Sequence, residues 1–576
     1  MGGYPQASCE ELSAAEALAG LWERFRTLAA GEETEADVIR PAPAGPRGKG
    51  WVLGEAAGDD EGETVLEAAR LAWLDWAGVA LYGLGTGLGR SLASLVGDPA
   101  ALAARVAGFG AAPEPNRAAG GCPGEPLGSA WSLALLLGAA AHAAELDDTL
   151  PDSMVHAGAP VVAAAWTSAL LHGAGTAQFF RAVAFGYEVA GRIGQAVNSP
   201  PGLALHRRGF HPTGVVGVLG AAAAAGALGG LDRQGLAAAL TLAASMGGGI
   251  LEFLSGGGDS KALHAGKAAA DGVVAAALAA CGLRGPRRAL EGRDGFFRAY
   301  GSERPPGGGA LGQGGRPDAG ELPRRGSEGE FRELPGDGAE AAEGLARTVE
   351  AASAHVVRTL RKYHACCHHC QPSVEALADL ARRAGLRGEE MLADVTAIEV
   401  VLPTMAHYQV ASPIEAKRRP SSRLEAQLSL PYCLAAWLVL GHLGPQAFED
   451  PHRNDPRILE VAGRVHPRPS AEMDARFARG EMPAVVRVHR RRGDVLEAAS
   501  GFRASGSRTG GLRDQIRGEE ERIREKWSFL LGPGLDSDGE EALWEAVRRQ
   551  PLEGLQAGLA RLQVASASQP GHGVAF

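Results

Sequence analysis

GFHPTGVVGVLGAAAAAGALGGL, residues 209–231, decides what kind of protein this is. From Gly214 to Leu231 it carries no charge, so it must be weighed as a membrane span. Its apolarity comes mostly from Ala and Gly, which contribute little transfer energy beside Leu or Ile. The reading is therefore a buried helix in a soluble helical core, not a span. Pro212 suits the first turn of that helix and holds His211 in extended geometry just before it. His211 then stands beside a helix N-terminus with free N–H groups, a natural place for an anion. The plainer reading of a lone histidine there is a cap or a packed ring.

The pattern around this run is helical too. From Thr64 onward Leu66, Ala69, Trp73 and Ala77 share one face, and helices follow over 131–146, 159–172, 176–196, 213–229, 235–245 and 261–281. No alternating strand interrupts them, so residues 63–301 form one large all-helical domain. Residues 1–62 read as a short helix and a loosely ordered lead-in, and 302–345, dominated by Gly, Pro and charge, as a disordered insertion. Strand signals come only later. VTAIEVVL (395–402) places Thr396, Ile398, Val400 and Leu402 on one face, and VVRVHRRRGDVLEA (485–498) reads as a hairpin turning at Arg492-Gly493-Asp494. With a helix near 429–442, residues 346–514 make a smaller α+β lid domain. Residues 515–531 and 539–562 are helical again and return to the first domain across 515–576. The fold class is mostly α.

Composition narrows the function. A net charge of −10 argues against general nucleic-acid binding, and any anionic substrate needs a locally positive pocket; only 5% aromatics favours closely packed helices of small residues. The seven cysteines follow no secretory signal, which points to a reducing, cytoplasmic setting.

Three stretches carry candidate chemistry. HAAELDDTLPDSMVH (142–156) must end a helix before Pro151, which puts Glu145, Asp147 and Asp148 near its C-terminus, where negative charge is disfavoured. The plain reading is a solvated acidic turn. SGGGDSKALHAGKAAADG (255–272) opens a helix with Asp259 or Ser260 as N-cap and sets Lys261 and His264 on one face of its first turn. A lysine there opposes the helix dipole unless an anion binds beside it. Neither this stretch nor GLGTGLG (83–89) satisfies a phosphate-loop or dinucleotide pattern. KYHACCHHCQ (362–371) has C-x-x-C spacing at Cys367 and Cys370 but no second ligand pair at zinc-module spacing, so Lys362 is the residue to watch.

In order, these segments resemble the MmgE/PrpD family, which includes 2-methylcitrate dehydratase, cis-aconitate decarboxylase and iminodisuccinate epimerase. The matching stretches are LAWLDWAGVALYG (71–83), AHAAELDDT with His156, FGYEVAGRI (185–193), GFHPTGVVGVLGAAAAA (209–225), SKALHAGKAAADG (260–272), KYHAC (362–366) and AQLSLPYCLAAWLVLG (426–441). The resemblance implies a helical domain with an α+β lid, a homodimer, and an active site between the domains that needs no metal or organic cofactor. It carries over Glu145, Asp148, Thr149 and His156 from the acidic motif, His211 from the next, the pair Lys261 and His264, the lid lysine Lys362, and Tyr432 of the SLPY segment. Glu145 stands where an aspartate is commoner, and Cys366 is expected packed inside a helix formed by CCHHC.

What the resemblance implies is a lyase that eliminates water from a small hydroxy-di- or tricarboxylate, with no membrane or nucleic-acid partner. His156 is expected to move the proton, with Asp148 and Thr149 orienting it or the substrate, and Tyr432 to hold the leaving group. Glu145, His211, Lys261, His264 and Lys362 are expected to hold substrate, both lysines lying near the surface when the site is empty. Decarboxylation or epimerisation would use the same cradle, and a non-catalytic carboxylate-binding dimer is the reading of a different class.

Overall fold

The computed structural model describes residues 13–27, 59–110, 124–200, 202–301, 354–384, 393–502 and 512–567. The 302–345 insertion lies outside them.

Pro212–Leu228 is a single helix, and every one of its residues is buried. Its 17 residues span only about 26 Å at 1.5 Å per residue. Among the described residues no single helix is long and apolar enough to cross a membrane; Gly87–Val96 and Pro99–Phe109 reach that length only across a 49° bend. The Pro212–Leu228 helix is packed among Thr176–Asn198, Ser260–Ala280 and Gly158–His172, with Gly124–Ala143 and Asp59–Leu84 completing the body. Small residues let these helices cross at backbone distance. A Cβ on Gly266 would sit 2.3 Å from the Leu135 carbonyl oxygen, and one on Gly220 2.7 Å from that of Gly186. This is the use to which the 82 glycines of the sequence are partly put.

The lead-in contributes more than expected. Ala14–Arg26 is closed by a full capping box between Ser13 and Glu16, and it buries Leu18, Leu21, Trp22 and Phe25. Trp22 and Phe25 meet Phe185 at ring-centroid distances of 5.4 and 5.9 Å. This helix belongs to the body.

The second unit is built on a four-stranded sheet of order β2-β1-β3-β4. β1 is Val395–Leu402 and β2 is Val465–Pro469; β3 (Met482–Arg490) and β4 (Val495–Phe502) form the expected hairpin. A register shift between Val395 and Ala397 turns Thr396 outward, so Ile398, Val400 and Leu402 alone keep the predicted buried face. β2 runs parallel to β1 at the sheet edge. Its sequence, VHPRP, hid it, since proline is tolerated in strands chiefly at edges. The Gln371–Arg383 helix covers β3 and β4. CCHHC is not a helix of its own: His368–Cys370 forms one short 3-10 turn before it, and Cys366 is buried as expected.

Residues just before Lys362 belong to the body, because Leu360 and Thr149 exchange backbone hydrogen bonds at 2.9 Å each. His355 likewise bonds Glu188 at 2.9 Å from both its N–H and its ring. On Leu512–Leu531, Lys526 pairs with Asp75 at 2.7 Å and Trp527 donates to the Leu74 carbonyl at 2.7 Å. The expected 539–562 helix is two, Ser537–Arg549 and Pro551–Ala567, broken at Pro551.

Candidate active site

The acidic turn is not solvated. After Gly124–Ala143 ends, Glu145 takes φ 57°, a left-handed conformation that costs a non-glycine residue about 1–2 kcal/mol. That backbone turn aims its carboxylate inward, and Glu145, Asp147, Asp148 and Thr149 are all buried. Glu145 is held by two ammonium groups. Lys261 donates to Oε1 in a short contact, and Lys362 donates to Oε2 at 3.3 Å. Lys362 also reaches Asp147 Oδ1 at 3.5 Å.

Neither lysine is near the surface, contrary to the sequence expectation. Lys362 is 0% exposed and Lys261 6%. The reason is this compact set of two carboxylates and two ammonium groups, whose charges cancel once buried together. Burial opposes the Lys362 ammonium, yet Glu145 and Asp147 outweigh it and raise its pKa above the ordinary lysine value. Burial likewise opposes the Glu145 carboxylate, and Lys261 and Lys362 outweigh it, holding the group well below the carboxylate range. Lys362 rides on the strap that Leu360 ties to Thr149, not on the lid sheet.

His156 faces this set. Its Nδ1 lies 2.8 Å from the Asp148 carbonyl oxygen, 3.0 Å from Thr149 Oγ1 and 3.5 Å from Asp147 Oδ2, while its backbone N–H donates to Thr213 Oγ1 at 3.1 Å. A carbonyl can only accept, so Nδ1 carries the proton and Nε2 keeps a lone pair. Burial first and the Lys362 charge second push the ring well below the usual histidine pKa, so it is neutral at pH 7.

The side chain of Asp148 points elsewhere. It accepts from Tyr187 O–H at 2.5 Å and from Gly158 N–H at 2.9 Å, at the start of the Gly158–His172 helix. Burial raises its pKa to about 6 against the pull of those donors. Asp148 therefore orients His156 through its backbone carbonyl, and its carboxyl group fixes the helix behind.

His211 sits at the N-cap of Pro212–Leu228 as predicted, with no side-chain cap bond. Its ring instead meets His264, Nδ1 to Nδ1 at 3.2 Å, and stacks on His142 at 5.6 Å between centroids. Asp259 holds the N-cap position of Ser260–Ala280, again without a cap bond from its side chain.

Glu145, His156, His211 and Lys261 line a chamber of about 40 Å³ with His206, Cys367, His368, His369, Gln409 and several apolar side chains. That holds a few waters. On the other side of Glu145 and Lys261 lies a larger pocket of about 440 Å³, bounded also by Thr86, Asp259, Ser422, Arg423, Gln427 and Glu449. The Glu145–Lys261 pair is thus a shared wall.

Tyr432 does not join the site. Ser429 caps its helix and the Tyr432 hydroxyl donates to the Ala447 carbonyl at 2.7 Å, so it lines neither space. Sequence reasoning missed His142 and Asp147 as a pair, 2.5 Å apart. Both stood in the quoted acidic stretch, and their spacing across a helix end was the available signal. His368 and His369 stood in the quoted KYHACCHHCQ stretch as possible imidazole ligands, not as lining of this chamber, and His206 and Gln409 carried no spacing that could have found them.

Among the described residues two donor sets converge closely enough to hold a metal ion, His142 with Asp147 and His156, and Cys366 with Cys370 and Cys433. In the first, the Lys362 ammonium already occupies Asp147, which disfavours a second cation there. The C-x-x-C pair of the sequence is not what converges: Cys366 replaces Cys367, and Cys433 arrives from the SLPY helix.

No curated protein matches the chain in a sequence comparison. Family models do: residues 51–307 match the MmgE/PrpD N-terminal domain and 364–551 the MmgE/PrpD C-terminal domain. Spanning both domains in order and covering most of its length, the chain belongs to the MmgE/PrpD family, a family of dehydratase and lyase type.

Proposed function

We propose that the protein eliminates water from a small hydroxy-di- or tricarboxylate, working as a homodimer and with no cofactor in the chemical step. The observation that carries this is a neutral His156, its side chain 12% exposed and its Nδ1 held by the Asp148 carbonyl, beside two buried lysines. A carbon acid next to a carboxylate loses its proton only if the charge that develops on the carboxylate is stabilised. Lys261 and Lys362 supply that charge, and His156 Nε2 takes the proton. With Tyr432 held on Ala447, the leaving hydroxyl is protonated by the His156 imidazolium formed in the first step, so the proton taken from carbon departs in the water and His156 is neutral again.

One observation favours a second reading within the family. His156 and His211 both line the chamber, as two bases exchanging a proton on one carbon would. That is epimerisation, with no leaving group. The test is a panel of citrate, 2-methylcitrate, cis-aconitate and iminodisuccinate in D₂O. Ultraviolet absorbance reports alkene gain or loss, and proton NMR reports deuterium exchange. Alkene formation from a hydroxy acid is expected; exchange without alkene would select epimerisation, and tight binding with neither would leave a carboxylate-binding protein.

A further inference from the structure

The geometry points to a second site, distinct from the chamber: Cys366, Cys370 and Cys433 form a three-thiolate site for one soft, thiophilic d¹⁰ cation of the Cu(I) or Cd(II) class. All three are free thiols with 0% exposure, and their sulfurs lie within 4.8 Å of one another. Three sulfurs bound at about 2.3 Å to a central ion at trigonal corners would stand about 4 Å apart. The spacing thus fits a metal with little movement. The donor set is all sulfur, which selects a soft cation over Mg²⁺ or Ca²⁺.

Two segments distant in sequence build the site. Cys366 and Cys370 flank the turn that enters the Gln371–Arg383 helix, with Cys370 at its N-cap position. Cys433 lies one turn into Leu430–Leu440. Gln371 Nε2 donates to the Cys366 sulfur at 3.3 Å, a contact that favours the thiolate.

A second observation supplies the counter-charge. Lys417 is buried, its Nζ bonded to the Leu428 carbonyl at 2.9 Å, and among the described residues it makes no ion pair. Glu425 is a carboxylate near enough to act on it, and Cys370 and Cys433 would add negative charge there once ionised by a bound metal. A buried ammonium without a carboxylate in contact is costly unless an anion lies near, and a three-thiolate complex with Cu(I) or Cd(II) is anionic. Binding breaks three S–H bonds, sends three protons to solvent and forms three metal–sulfur bonds; no oxidant or reductant takes part.

The experiment uses the full-length protein, reduced and under argon, titrated with Cd²⁺ and with Cu(I). Native mass spectrometry should show one ion per chain, with a thiolate-to-metal charge-transfer band rising in step. The bound ion should shield the three thiols from alkylation in mild denaturant. Cys366→Ser, Cys370→Ser and Cys433→Ser should each weaken binding at least tenfold, whereas Cys367→Ser should bind as the parent does. Circular dichroism of each metal-free variant separates lost binding from lost folding. If a serine variant does not fold, alkylation mapping of the parent with and without metal decides alone. No uptake of either ion by the folded parent, uptake unchanged in the three variants, or a disulfide between two of the three thiols in freshly reduced protein would each overturn the site.

Discussion

Lys362→Met tests the buried charge set directly. Lys362 is fully enclosed and bridges Glu145 at 3.3 Å and Asp147 at 3.5 Å. Methionine nearly matches its length, so packing survives and the charge alone is lost. Glu145 then keeps only Lys261, and Asp147 loses its ammonium partner and keeps its contacts to the neutral rings of His142 and His156. Removing one partner of a buried ion pair costs about 3–5 kcal/mol, because the other charge stays desolvated. At about 2.1 cal/mol/K per residue, unfolding a chain of this length carries an entropy of about 1.2 kcal/mol/K, so the midpoint should fall by about 3–4 °C. Surface lysines would predict almost no change. The assay is differential scanning calorimetry of the parent, Lys362→Met, Glu145→Gln and the double variant. Glu145→Gln in the Lys362→Met background should recover part of the loss, since it removes one stranded charge. A Lys362→Met protein that melts with the parent, or a double variant that melts as the sum of the singles, would refute the reasoning.

His156→Ala should lower kcat by about 10²–10⁴ with little change in ligand affinity, as steady-state kinetics beside calorimetric titration would report; equal losses in both would make it a binding residue. Acidification should destabilise the fold between about pH 6.5 and 4. Burial lowers His206 to about 3 and His369 to about 4, so there the unfolded chain takes up protons first, at about 1.4 kcal/mol per pH unit for each group. Asp148, raised to about 6, acts in the opposite direction, and a urea midpoint that did not fall across this window would contradict the buried neutral rings. At lower pH, Glu188 contributes stability that is present above its unfolded pKa, near 4.5, and lost as pH falls through about 2. Burial opposes that depression, but His355 and Arg192 outweigh it, so Glu188→Gln should flatten this lower part of the profile. Gly83→Ala should lower the melting temperature by several degrees or abolish soluble expression, because the new Cβ would lie 1.9 Å from the Ala140 carbonyl oxygen.

The helical body was legible because its signals are local. Uncharged periodic runs, Pro212 at a helix start and Gly173 at a helix end each speak through nearest neighbours. The site was legible as a set of residues but not as an arrangement. Burial of Lys261 and Lys362 depends on carboxylates more than a hundred positions away, and no periodicity encodes that. Tyr432 shows the converse failure. Its motif is present, yet the hydroxyl is claimed by Ala447, a partner fixed by the fold of the lid. β2 was hidden for a third reason, since two prolines in five residues read as a loop until β1 supplies a parallel neighbour.

The same burial that the sequence did not reveal constrains how a substrate can bind. Glu145 already satisfies both lysines, so the site has no unspent positive charge to offer an incoming carboxylate. A chamber of about 40 Å³ cannot admit a tricarboxylate as it stands, while the pocket of about 440 Å³ beyond Glu145 and Lys261 can. On the proposed function, binding would then be an exchange, in which a substrate carboxylate replaces that of Glu145 on the lysines and the wall between the two spaces gives way. The net gain is the difference between two charge-assisted sets of similar kind, so affinity is modest even though each contact is strong. Discrimination then rests on geometry, because a ligand must bring its carboxylate to the place Glu145 leaves while setting a carbon acid beside His156. The left-handed backbone at Glu145 fits this role. A residue held at a cost of about 1–2 kcal/mol in its resting conformation has less to lose when it is displaced.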